Sequence, residues 1–352
     1  MTARPREGLR DMTPYVSPQL DVAARLNTNE SPHPLPPGFF EELAKVVRDL
    51  PLHRYPDGAA TRLREELGAV HGLPAAAVWA ANGSNEVLQT LLLAYGGPER
   101  RAITFEPTYS LHGRLCWSTH TDRIRGGLPS DFVLGDPQID EARAARPDIV
   151  FVCSPNNPTG NAQPIGAIRG LAEALPDALL IVDEAYAEFS DAPSATGLLG
   201  DLRNLAVVRT FSKAYAMAGA RIGYALTSPA IVEDLGRVRL PYHLSALTQA
   251  AGICALHHRP AARALLASIR VERDRIAAEL TTIPGCVVYP SDANFVLFVP
   301  PGDARELWRG LLDRGVLVRD MSDAVPNALR VTAGSEHETD LFLKALRECL
   351  PA

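Results

Sequence analysis

Five short apolar runs recur through the middle of the chain: AITF (102–105), DIVFVCSP (148–155), ALLIVDEAY (178–186), LAVVRTFSK (205–213) and RIGYALTS (221–228). Their cores lack polar alternation, so strands built from them have no side to offer to water and must be covered on both faces. Most are separated by segments of helical length. Strands alternating with helices in this way predict an α/β fold, a mostly parallel sheet flanked by helices. The length of 352 residues exceeds one ordinary core and predicts a second, smaller domain.

Helical spacing is also expected over 39–50 and 59–71, and again after Gly83 and Ser84, where Leu88, Leu91 and Leu92 form an apolar face. The pattern changes near residue 240. Residues 260–283 read as a long amphipathic helix, followed by strands in VVY, NFVLFV, GVLVRD and ALRVTAG and by helices at 303–314 and 336–349. That grouping is α+β. Residues 1–38 are proline-rich and hold no long periodic segment, so they are expected to wrap over the body. The expected division is an N-terminal arm at 1–38, a large domain at 39–245, and a small C-terminal domain with its connecting helix at 246–352.

The formal net charge of −6 provides no basic footprint for nucleic acid or an anionic membrane. No apolar window approaches the length of a membrane span, and the N-terminus lacks a signal-peptide core, so a cytoplasmic protein is expected. Five cysteines are scattered without a CxxC pair, which argues against a disulfide framework and a thiolate metal site. They are expected to be small core residues of a reduced protein.

The chain holds 32 arginines and three lysines. Arginine evidently serves wherever a plain surface cation suffices. Lys45 and Lys344 fall on helical patterns and are expected at the surface. Lys213 does not: it sits in TFSKAYAMAGARIGYAL (210–226), among small and apolar residues. A lysine can be neutralised by its surroundings and attack a carbonyl, which arginine cannot do. Three further motifs fall at the ends of expected strands or the openings of helices, where ligands of open α/β sheets bind. SPNNPTG (154–160) can aim Asn157 into a cleft, and its Asn157–Pro158 bond is a candidate for the cis form. Asp183 and Glu184 follow an apolar strand, so a carboxylate there is either half of a buried ion pair or a functional acid. NGSNE (82–86) opens a helix whose amides can hold a phosphate.

Lysine, carboxylate and a phosphate cup together match pyridoxal 5′-phosphate (PLP). Lys213 would form a Schiff base, Asp183 would pair with the ring nitrogen, and Asn157 and Tyr186 would bond its phenolic oxygen. Tyr109, in EPTYSLHG, would stack on the ring, with Ser212, Arg221 and the helix opened by Ser84 at the phosphate.

With these residues in this order, the chain resembles the fold-type I, PLP-dependent aminotransferases, and more narrowly the histidinol-phosphate aminotransferase family. The resemblance runs from LNTNESP and HRYPDG through NGSNE, SPNNPTG and VDEAYAEF to RLPYHLS, VLVRD and LRVTAG. It implies a homodimer that converts L-histidinol phosphate and 2-oxoglutarate to imidazole acetol phosphate and L-glutamate in histidine biosynthesis. It also implies that Ser84 and Asn85 join Ser212 and Arg221 around the cofactor phosphate, although the position of Asn85 often carries an acidic residue in the family. Tyr55 would reach that phosphate from the other subunit. Arg330 and Arg319 would hold the substrate's distal anion, and Tyr15, Asn29 and Tyr242 would line its pocket under the arm. Relatives include aromatic amino-acid aminotransferases and a threonine-phosphate decarboxylase, which leaves the substrate open among these classes. A non-catalytic PLP-fold binding protein is the reading of another class, and the intact Lys213, Asp183 and Arg221 argue against it.

Overall fold

The computed structural model describes residues 3–4, 6–14, 16 and 18–350. After the short strand β1 (Ala24–Arg25) come the seven strands of the main sheet: β2 (Val78–Ala81), β3 (Arg101–Glu106), β4 (Asp122–Gly127), β5 (Ile149–Cys153), β6 (Leu179–Asp183), β7 (Leu205–Thr210) and β8 (Gly223–Thr227). Their order is β2-β8-β7-β6-β5-β3-β4, and β8 alone runs against its neighbours. The sheet is buried on both faces as the apolar runs require. Val150, Val152, Leu180, Val182 and Val207 pack into the core on one side. Their alternates Ile149, Phe151, Leu179, Ile181 and Val208 pack into the core on the other. Each such side chain contributes about 1.5–3 kcal/mol on burial.

The C-terminal part adds β9 (Val287–Val288), β10 (Phe295–Val299), β11 (Val316–Leu317), β12 (Arg319–Asp320) and β13 (Leu329–Thr332). Four of these form an antiparallel sheet in the order β12-β13-β10-β9. The helices Ala304–Asp313, Glu336–Cys349 and Arg259–Thr281 pack with it around Val296, Phe298, Val331 and Phe342. GVLVRD, expected as one strand, is two. Val316 and Leu317 pair in parallel with Ala24 and Arg25 of the arm, while Arg319 and Asp320 pair with β13. The switch has a packing cause: Ala24 and Leu26 are buried in the C-terminal core, so the arm completes that core.

Helix boundaries fall within two residues of expectation at Pro37–Arg48, Thr61–His71 and Arg259–Thr281. Pro37 and Pro260 stand in first turns, where a missing N–H costs nothing. Lys45 and Lys344 are exposed. Of the cysteines, Cys116, Cys153 and Cys254 are buried as expected, whereas Cys286 and Cys349 are only partly so. Among the described residues no helix is long and apolar enough to cross a membrane.

The two carboxylates at the end of β6, Asp183 and Glu184, separate into the two readings open to them. Glu184 turns to structure: its carboxylate lies 2.6 Å from the Arg209 guanidinium. It also accepts from the Ser194 hydroxyl at 2.7 Å and the Ala195 amide at 2.7 Å. Removing one partner of a buried pair strands the other charge. Glu184→Ala should therefore destabilise the fold by about 3 kcal/mol, read as a lower urea midpoint at unchanged slope. An unshifted midpoint would show that Glu188, also on Arg209 at 2.8 Å, suffices alone.

Candidate active site

A cavity of about 310 Å³ opens beyond the carboxyl ends of β5, β6 and β7. It is lined by Asn29, Ser84, Asn85, Tyr109, Asn157, Asp183, Tyr186, Ser212, Lys213, Arg221, Arg319 and Arg330. Residues quoted from eight separate stretches of sequence thus meet in one place. Tyr55 and Tyr242 are not brought there within one chain. They stack on each other, ring centroids 4.4 Å apart, at a surface hollow with Leu52 and Leu247. Tyr55 is 80% exposed. Tyr15 lies outside the described residues.

Lys213 follows β7, and its Nζ donates to the Thr28 carbonyl of the arm at 2.8 Å. Burial, with the nearby charges of Arg330 and Arg221, pulls its amine down to about 7 against the partial opposition of Glu30. About half the amine is then uncharged at neutral pH, a nucleophile and proton acceptor rather than a spectator cation.

Asp183 ends β6 and is 2% exposed. The His112 ring stands behind it, Nε2 at 3.3 Å from Oδ2, and stacks on Phe151 with centroids 4.6 Å apart. The Ala185 amide donates to the other carboxylate oxygen at 3.2 Å. Buried beside them, the Tyr186 hydroxyl accepts from Asn29 Nδ2 at 2.9 Å and from Asn157 Nδ2 at 3.5 Å. Burial pushes the Tyr186 phenol up to about 12, so it keeps its proton at neutral pH. The Asn157–Pro158 bond is cis, as the aim of Asn157 suggested.

A cup for an anion forms where the helix Ser84–Tyr95 opens. Its first amides point out of the helix. Arg221 closes the cup, donating to the Ser212 hydroxyl at 3.1 Å and the Ala218 carbonyl at 2.9 Å. Gly83 has φ +81°, and a Cβ there would lie 2.5 Å from the guanidinium. Gly223 of β8 passes so close that a Cβ would meet the Ser84 nitrogen at 2.1 Å. Arg221 itself has φ +54° and Asn29 has φ +55°, left-handed conformations that cost an arginine more than an asparagine. The strain sits in the cavity wall.

Arginine also marks the opposite end. Arg330 and Arg319 face each other in register across β13 and β12. Arg330 is 7% exposed. It donates to Asn157 Oδ1 at 2.5 Å and to the Asn27 carbonyl at 2.9 Å, with its guanidinium 5.0 Å from the centre of the Phe295 ring. The cavity therefore has cationic groups at both ends and a depressed lysine between them.

Several participants escaped the sequence reading. His112 lies in the quoted EPTYSLHG, three residues and one helical turn past Tyr109, and that spacing was the available signal. Thr28 and Asn27 act through backbone carbonyls, which leave no residue-type signal. Thr332 holds Asn29 by accepting from its amide at 3.0 Å and donating to its side-chain oxygen at 3.0 Å.

A fold of this type with a depressed lysine, a buried acid and an anion cup at the strand ends defines a class. The chain belongs to the class I and II aminotransferases, whose family pattern matches residues 23–346. The histidinol-phosphate aminotransferase of Mycolicibacterium smegmatis is 47% identical to it over 97% of this chain and 92% of that protein. That of Frankia casuarinae is 46% identical over 98% of this chain and 90% of its own length. Among solved structures, the histidinol-phosphate aminotransferase of Sinorhizobium meliloti in complex with pyridoxal-5′-phosphate superposes with a TM-score of 0.87. It shares 25% identity and covers 99% of this chain and 98% of its own.

The site makes a prediction that needs no substrate. In the cofactor-free protein, Lys213 should react with an amine-directed reagent at a rate that rises as pH passes about 7 and then levels, because only the uncharged amine reacts. With three lysines in the chain, peptide mapping assigns the modified residue directly. A midpoint above about pH 10, the ordinary lysine range, would refute the desolvated amine.

Proposed function

We propose that this chain is a PLP-dependent aminotransferase acting on L-histidinol phosphate, with 2-oxoglutarate and glutamate as its second pair. The observation that carries the cofactor reading is the cavity's donor set: a depressed lysine flanked by a buried carboxylate and by the Gly83–Arg221 cup, which a Cβ would fill. Those residues fit the cofactor's aldehyde, ring nitrogen and phosphate in turn. When bound, PLP supplies the carbonyl that takes the substrate's amine and an electron sink for the pair left on the α-carbon.

The chain's own residues then have definite tasks. With the cofactor bound, the Lys213 amine would hold its aldehyde carbon and would serve as the base that takes the proton from the substrate's α-carbon. Asp183, backed by His112, would hold a proton on the ring nitrogen. Asn157 and Tyr186 would hold the phenolic oxygen, and Tyr109 would cover the ring face. Ser84, Asn85, Ser212 and Arg221 would hold the phosphate. Histidinol phosphate lacks an α-carboxylate, so its phosphate must anchor where glutamate's carboxylate does, and one planar guanidinium can bond both. Arg330 is assigned that task, with Arg319 beside it and Asn29, Tyr15 and Tyr242 around the imidazole. The exposure of Tyr55 and of its stacking partner Tyr242 supports a homodimer in which they complete the second subunit's cavity. The division into an arm, a large domain ending near 245 and a small domain belongs to the same proposal.

A substrate panel tests the reading. Histidinol phosphate should exceed phenylalanine and tyrosine in kcat/KM, and the reverse order would replace it with an aromatic aminotransferase. Arg330→Ala should slow both half-reactions about ten-fold or more, the loss of a charge-assisted hydrogen bond. Loss confined to one half-reaction would separate the two anions' anchors.

Mixed dimers test the shared site. Co-expressing Tyr55→Ala with Lys213→Ala chains should rebuild one sound site in each heterodimer, because the two defects fall in the same other site. Activity no higher than in either parent homodimer would put both residues in the same subunit's site.

A further inference from the structure

Besides its phosphate, the substrate proposed for this site presents an imidazole. That ring differs from a phenyl in carrying an N–H, and a site built to receive an N–H discriminates strongly against a ring that lacks one. The amide acceptors of the cavity wall are engaged. Asn157 Oδ1 takes Arg330 at 2.5 Å, Asn29 Oδ1 takes the Thr332 hydroxyl at 3.0 Å, and Asn85 Oδ1 takes the Tyr109 hydroxyl at 3.4 Å. Asn27 Oδ1 is unpartnered, but it is buried out of a ligand's reach. The carbonyls of Thr28 and Asn27 receive Lys213 and Arg330. Two carboxylates remain in the lining, Asp183 and Glu30. Asp183 is assigned to the cofactor's ring nitrogen and is backed by His112.

Glu30 has no such task. It lines both the active-site cavity and a neighbouring hollow bounded by Arg25, Pro32 and Gly334, so it stands between the two. On the side of the hollow its Oε2 meets Arg25 at 3.2 Å, a pair whose side chains are 36% and 49% exposed. Exposed pairs of this kind hold little. The Glu30 side chain has no other ion pair or hydrogen bond among the described residues. Its second oxygen can therefore accept, and a carboxylate is a stronger acceptor for an N–H than any neutral oxygen. Its place along the cavity also fits. Thr28, two residues earlier, receives the Lys213 Nζ, and the Glu30 charge opposes the lowering of that amine, which puts the carboxylate near the reacting end. With the substrate's amine at Lys213 and its phosphate at Arg330, the imidazole branch is left to a third wall. The arm that carries Glu30 supplies one.

Resting on the histidinol-phosphate reading of the site, we propose that Glu30 is a specificity-determining residue whose carboxylate accepts the imidazole N–H of the substrate. A phenyl ring in the same place would strip water from the carboxylate and return nothing, so the contact that attracts imidazole also rejects aromatic substrates.

The test compares histidinol phosphate with an analogue carrying phenyl in place of imidazole, so that amine and phosphate are common to both. In Glu30→Ala the ratio of kcat/KM for the two should fall about ten-fold or more, the loss of one hydrogen bond to a charged group. Damage to folding or to the cofactor site affects both compounds and cancels in the ratio. Glu30→Gln keeps an acceptor without the charge and should fall between wild type and Glu30→Ala. Arg25→Gln breaks the ion pair on the other side of Glu30 and should leave the ratio as in wild type. In a Lys213→Ala background, where turnover is absent, dissociation constants from equilibrium dialysis should show the same selective loss with Glu30→Ala. An unchanged ratio in Glu30→Ala overturns the proposal. So does an equal fall in Arg25→Gln, which would make Glu30 a fastening of the arm. Which compound wild type prefers decides the substrate reading, whereas the change in ratio decides Glu30, so the two can fail separately.

Discussion

Lys213 is kept short of its proton first by its own burial, and then by the guanidiniums of Arg330 and Arg221. The rest of the site follows from holding that electrostatic arrangement still. A mobile lysine would swing to water and regain its charge. Instead, the end of β7 fixes its backbone and a carbonyl of the arm receives its Nζ. The guanidiniums are fixed as well, Arg330 by Asn157 and the Asn27 carbonyl, and Arg221 by Ser212 and the Ala218 carbonyl. The neutral partners matter as much as the charged ones. Asn29, Asn157 and Tyr186 satisfy one another without adding a charge that would return the lysine to its ordinary range.

What could be read in the sequence was whatever a residue type or a period alone decides. The central strands were legible because β5, β6 and β7 are apolar along most of their length, and only a doubly covered sheet accommodates such runs. Lys213 was legible because the chain otherwise uses arginine. The neighbours Asp183 and Glu184 could not be told apart, since both are carboxylates after one strand. Only the fold decides that one meets His112 and the other Arg209. GVLVRD was misread as one strand because its partner, Ala24–Arg25, lies almost three hundred residues away and is too short to show a period. Thr28 and Asn27 were illegible for a different reason: their contribution is a peptide carbonyl, which every residue has.

The gap between Asn29 and Thr332 has a consequence for how the protein is made. These residues exchange hydrogen bonds across 303 positions of sequence, and Asn29 in turn holds the Tyr186 hydroxyl. The arm can take up this place only once β11 and β13 exist to receive it. During synthesis the main sheet, whose last strand ends at Thr227, can form while the arm has nowhere to dock. Lys213 then lacks the Thr28 carbonyl, and Arg330 has not yet been made. The lysine of a nascent chain therefore lacks both the cover of the arm and the Arg330 charge that help to lower it in the finished fold. Its full environment is assembled only when the arm meets β13, after nearly the whole chain has left the ribosome.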